Sequence, residues 1–89
     1  MKWMEFIKVQ MTKSIVATEL LSFIEGCSHC RGLLEVKVFQ NASVDDCSLC
    51  LRWDTDKPEL QGSSIGVYLS NSLKQYGLVD HSVWIEQEV

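Results

Sequence analysis

Residues 33–54 constrain what this chain can fold into more tightly than any other stretch. Leu33–Gln40 alternates apolar and charged residues with the period of two that marks a half-buried strand. The turn formers of Asn41–Asp46 follow, and Cys47–Trp53 takes up the alternation again. For the apolar sets to share a face, Leu34, Val36 and Val38 must lie beside Cys47, Leu49, Leu51 and Trp53. Paired residue numbers then have an odd sum, as with Gln40 opposite Asp45, because a slip of one residue would turn every side chain over. The other face receives Glu35, Lys37, Ser48, Cys50 and Arg52, flanked by Leu33 and Phe39. The expectation is a hairpin with one face committed to a core.

The flanking segments extend the pattern in both directions. Lys2–Met11 alternates as a first strand, with Trp3, Ile7, Val9 and Met11 on one side and Met4, Phe6, Lys8 and Gln10 on the other. Glu5 interrupts the more apolar side. Thr12 or Ser14 can cap a helix that carries Val16, Leu20, Phe23, Ile24 and Cys27 at helical spacing and stops at Gly26 or Gly32. After Trp53 the polar run Asp54–Glu59 ends the strand, and Pro58 forbids further ladder pairing there.

A second helix starts near Ser63 or Ser64, with Ile65, Leu69, Leu73 and Tyr76 on one stripe and Tyr68 beside it. Gly66, Ser70, Asn71 and Ser72 weaken its intrinsic propensity, so packing must hold it. Gly77 is placed as a left-handed stop. Leu78–Glu88 closes the chain as a fourth strand, with His81, Val83 and Ile85 on one side and Trp84 on the other.

Strand, helix, strand, strand, helix, strand is the order of an α+β, ferredoxin-like βαββαβ domain, a four-stranded antiparallel sheet with two helices on one face. At 89 residues the chain is a single domain, 1–89. Its open sheet face would carry Phe6, Leu33, Phe39 and Trp84 among charged groups, which predicts a homodimer formed through that face. A net charge of −4 with scattered basic residues excludes a nucleic-acid surface. Charges inside Met1–Lys8 fit neither a signal peptide nor a membrane span, so a cytoplasmic, membrane-free protein is expected, with its thiols reduced.

Two constellations invite chemistry. Cys27-x-x-Cys30 with Cys47-x-x-Cys50 has the form of a four-thiolate zinc site. The hairpin opposes it: Cys30 would lie across from Thr55, about eight residues or roughly 25 Å along the strand from Cys47. Cys47 and Cys50 also point to opposite faces, so the four read as structural thiols, with a zinc-stabilised domain as the lesser alternative. Gly62–Gly66 matches the G-x-S-x-G pattern around Ser64, but that motif needs a strand running into the serine within a large parallel sheet, and a capped helix start fits better.

The Gly32-Leu33 approach to the second strand, the Leu51-Arg-Trp53-Asp54 exit from the third, and the length and element order resemble the antibiotic biosynthesis monooxygenase family of dimeric α/β barrels. The resemblance implies sheet-to-sheet dimers with ligands held between sheet and helices, in a family that includes cofactor-independent quinol oxygenases, haem-degrading enzymes and small proteins without assigned activity. Trp53 stands at the family's recurrent tryptophan position, whereas the acidic residue common two positions earlier is Leu51 here. The Asn and His of the haem-degrading branch have no counterparts on the first strand or second helix, so no cofactor is implied. What remains is a small aromatic, quinol-like ligand beside Trp53, Tyr68 and Tyr76, with His81 and Trp53 as catalytic candidates. A histidine in a semi-apolar cavity can act as base near neutrality. The alternative is a non-catalytic dimeric module that binds a ligand or only assembles, with His81 solvated and Trp53 part of the core.

Overall fold

The computed structural model describes residues 1–12, 17–26 and 29–89, with the backbone alone for residues 17–19 and 21. The elements run β1 (Lys2–Met11), α1 (Ala17–Glu25), β2 (Leu33–Gln40), β3 (Cys47–Asp54), α2 (Ser64–Leu73) and β4 (Gly77–Ile85). The strands form one antiparallel sheet in the order β2-β3-β1-β4. This is the ferredoxin-like arrangement expected from the alternation. Ser14, Val16 and Cys27 lie outside the described residues.

β1 and β3 are the two interior strands, and β1 is committed to the core along one side. Trp3, Glu5, Ile7 and Val9 are all buried, and they face Leu49, Leu51 and Trp53 of β3 across the ladder. Trp3 and Trp53 are directly paired, and their rings stack with centroids 5.5 Å apart. Leu69, Leu73 and Tyr76 cover this cluster from above, while Leu20, Phe23 and Ile24 of α1 pack on its margin. Both helices therefore sit on the same face.

The hairpin departs from expectation in register and at its start. Gln40 pairs with Cys47 rather than Asp45, because Asn41 Oδ1 accepts the amides of Ser43 and Val44 and winds the turn over six residues, 41–46. The pairing keeps its odd sum from Gln40 to Glu35, so the inward face of β2 is as expected there. Between Leu33 and Glu35 the register breaks. This bulge returns Leu33 to the helix side, where it packs against the core, and leaves Leu34 50% exposed. Leu33 and Leu34 thus exchange their expected faces, and Leu33 leaves the open sheet face. Gly32, at φ +87, makes the approach possible: its carbonyl takes the Asp54 amide at 2.8 Å.

α2 begins at Ser63, whose Oγ accepts the Gly66 amide at 2.9 Å, and runs on through a 3₁₀ turn at Lys74–Tyr76. Gly77 is not the expected left-handed stop, since its φ of 163° is extended. It opens β4 opposite Met11, and a Cβ there would stand 2.8 Å from the Gln10 carbonyl carbon. Steric closeness to β1, not turn geometry, selects glycine. β4 ends at Ile85, short of Glu88, with the Glu86 amide donating to the Lys2 carbonyl at its end. No helix among the described residues is long and apolar enough to cross a membrane.

Candidate functional site

A carboxylate lies at the centre of the apolar cluster. Glu5 is fully buried between Trp3 and Ile7, a position that costs several kcal/mol for an unpaired charge. Hydrogen bonds from three directions offset that cost. The Trp53 indole Nε1 donates to Oε2 at 2.8 Å from β3. The Ser63 amide donates to Oε1 at 2.8 Å, and the Ser63 hydroxyl meets Oε2 at 2.5 Å, both from the start of α2. His81 Nε2 lies 2.8 Å from Oε1, reaching in from β4. Ser63 Oγ already accepts the Gly66 amide, which leaves its proton for the carboxylate. Charge-assisted bonds of this kind are stronger than neutral ones, and the buried carboxylate has both oxygens doubly served.

The backbone around the carboxylate is cut to fit. A Cβ at Gly66 would stand 2.7 Å from Glu5 Cδ, so a helix-weakening glycine sits in α2 because the carboxylate occupies the space. A Cβ at Gly62, whose φ is +94, would stand 2.9 Å from His81 Nε2 and 3.0 Å from Glu5 Oε1. The glycine–serine stretch that mimics a nucleophile motif is thus a lid of bare backbone over Glu5 and His81. Its engaged hydroxyl is that of Ser63, while Ser64 is exposed.

The two catalytic candidates, Trp53 and His81, meet through the same carboxylate, Trp53 at one oxygen and His81 at the other. Trp53 is 6% exposed, and the His81 side chain retains 16% of its exposure. Tyr76 is buried in the core cluster, but Tyr68 is 62% exposed and is not gathered with them. Glu5 and Ser63 are the members of this network that pattern reading missed as a pair. The available signal was Glu5 itself, an acid placed by parity on the one strand face otherwise made of Trp3, Ile7 and Val9. Leu51, where the resemblance leads one to look for an acid, is the direct ladder partner of Glu5.

The open face has its own polar pattern. Arg52 Nη1 lies 2.6 Å from Glu35 Oε1, and that hydrogen bond holds the Glu35 carboxyl below its ordinary range, with Lys37 adding to the effect. A cleft of about 470 Å³ on this face is lined by Lys8, Gln10, Phe39, Asp46, Ser48 and Asp80 among others, on the side of the sheet away from Trp53 and His81. Cys30, Cys47 and Cys50 are free thiols, and burial pushes those of Cys47 and Cys50 up, away from the thiolate form a metal needs. Cys50 pairs with Phe6 and Lys37 on the open face, while Cys47 packs against the core on the other. Among the described residues no group of three or more His, Cys, Asp or Glu side chains is placed to hold a metal ion.

No protein-family model and no curated protein matches the chain. A solved structure does, that of Rv0793 from Mycobacterium tuberculosis. It superposes with a TM-score of 0.68 over 100% of this chain and 98% of that one, at 13% sequence identity. The likeness shows the fold. It extends over both helices and all strands, so the βαββαβ reading holds for the whole length of the chain.

Trp53→Phe separates packing from hydrogen bonding. It keeps a ring against Trp3 but takes the indole N–H from Glu5, and should cost about 1–3 kcal/mol in urea unfolding, against about 3–5 kcal/mol for Trp53→Ala. A Phe variant as stable as the native chain would show that the bond to Glu5 contributes nothing.

Proposed function

We propose that this chain is a small dimeric α/β-barrel protein that binds an aromatic, quinol-like molecule between sheet and helices and oxidises it without a cofactor, as the monooxygenases it resembles do. The observation that carries the reading is the His81 imidazole, held at one nitrogen by a buried carboxylate yet still partly exposed. Oxygenation without a cofactor requires the substrate to supply the electrons, and a phenolic or activated C–H group does so once it has lost a proton. His81 is the base for that step, and Trp53 and Tyr76 are the aromatic contacts on the covered face.

A second reading, a non-catalytic ligand-binding or assembly module, draws on two observations. The Glu5 network is closed upon itself, so it can serve as a staple between β1, β3, β4 and α2. The cleft of about 470 Å³ lies on the other face of the sheet. Oxygen uptake on a panel of hydroquinones, with no added metal or flavin, separates the two readings. The enzyme reading expects uptake with at least one member and a loss of about 100-fold or more in His81→Gln. No uptake across the panel, or uptake unchanged in the variant, contradicts it.

Dimerisation belongs to the same proposal. The open face carries Phe6, Phe39 and Trp84, the last two 50% and 59% exposed, and their burial against a second copy supplies the driving area. The charges on that face can be covered because Glu35 and Arg52 already neutralise each other within the chain. Sedimentation should give a dimer at micromolar concentration, and Phe39→Glu, by adding an unpaired carboxylate, should shift it toward monomer. A native chain that sediments as a 10.1 kDa monomer contradicts this.

A further inference from the structure

We infer that Glu5 is the positioning residue of His81, fixing the ring proton on Nε2 and leaving Nδ1 as the nitrogen that reacts. The inference rests on the proposed role of His81 as base, and it adds which atom acts and what makes it act. Two of the groups around the carboxylate, the Trp53 indole and the Ser63 amide, can only donate, and each addresses a different oxygen. The Ser63 hydroxyl donates as well, since its oxygen takes the Gly66 amide. With fixed donors at both oxygens, the site is complementary to an acceptor-only carboxylate. His81 Nε2, 2.8 Å from Oε1, must then carry a proton, and in the neutral ring the lone pair is at Nδ1.

Gly62 shapes the same outcome sterically. A Cβ there would fall closest to His81 Cε1 and next to Nε2, so the bare backbone lies along the Cε1–Nε2 edge of the ring. A substrate reaching the remaining exposed part of His81 meets the ring from elsewhere. Glu5 thereby does for His81 what a carboxylate does for any histidine base: it selects the tautomer, holds the ring plane and stabilises the imidazolium that forms when a proton is taken.

Ring ¹⁵N chemical shifts test this without any substrate. The chain has two histidines, and His29→Gln removes the exposed one, leaving His81 alone in the spectrum. At a pH high enough for the ring to be neutral, Nε2 should show the shift of a protonated nitrogen and Nδ1 that of a bare one, with no averaging between them. Glu5→Gln places an amide N–H against at least one fixed donor, so the His81 signals should collapse toward the average of the two tautomers or invert. Averaged or Nδ1-protonated signals in the Glu5-containing protein would overturn the inference, whether or not the Gln variant folds. So would a Gln variant whose ring signals match those of the Glu5 protein. A fixed Nε2–H tautomer in a protein that consumes no oxygen would leave this assignment standing and remove the oxygenase reading instead.

Discussion

A single buried carboxylate ties the sheet to its second helix. Glu5 sits on an interior strand, where an apolar residue would pack with less risk, and its charge is tolerable only because β3 and the start of α2 send it donors and β4 sets His81 against it. The requirement runs outward through the structure. Ser63 must be the N-cap, Gly66 must lack a side chain, and Gly62 must adopt a left-handed backbone for the loop to close over His81. Part of the weak helix propensity of α2 follows from the same cause, since at Gly66 no stronger helix former fits against the carboxylate. A polar network that is fully satisfied specifies one arrangement of its elements, because any other leaves a charge buried and unpaired.

The fold was legible because alternation is a local signal. Period-two patterning in β1 and β3 placed Trp3, Ile7, Val9, Leu49, Leu51 and Trp53 on one face, and all six are buried there. The signal fails where geometry is set by something other than side-chain polarity. A bulge beside Gly32 moved Leu33 inward and Leu34 outward, and two adjacent leucines contain nothing that tells them apart. The Asn41 side chain lengthened the turn and moved the register by two residues, a shift that preserves the faces and is invisible to a parity argument. Gly77 looked like a helix stop, yet it is demanded by a neighbouring strand remote in sequence.

The candidate site was legible in part, for the same reason. His81 and Trp53 could be singled out as polar or aromatic groups on the covered face, but what joins them could not, because their common partner is 76 residues before His81 and 48 before Trp53. Glu5 read as an interruption in an apolar strand. An interruption on a face that must be buried implies partners, and those partners had to come from other elements. Position 51 is leucine, and its direct ladder partner on the same covered face is Glu5. Tyr68 shows the reverse error: helical spacing put it beside the apolar stripe, and it is turned to solvent.

Amide hydrogen exchange at Ser63 tests the central role of Glu5 most directly. The backbone N–H of a residue at the N-cap has no partner within its own helix, and in a surface helix it exchanges freely. Here it is bonded to a carboxylate in the core at 2.8 Å. The account expects the Ser63 amide to be protected to the same degree as the central residues of β1, exchanging only when the whole domain opens. Exchange at the rate of an exposed loop amide would mean that α2 is not anchored to Glu5, and that the carboxylate does not organise this structure.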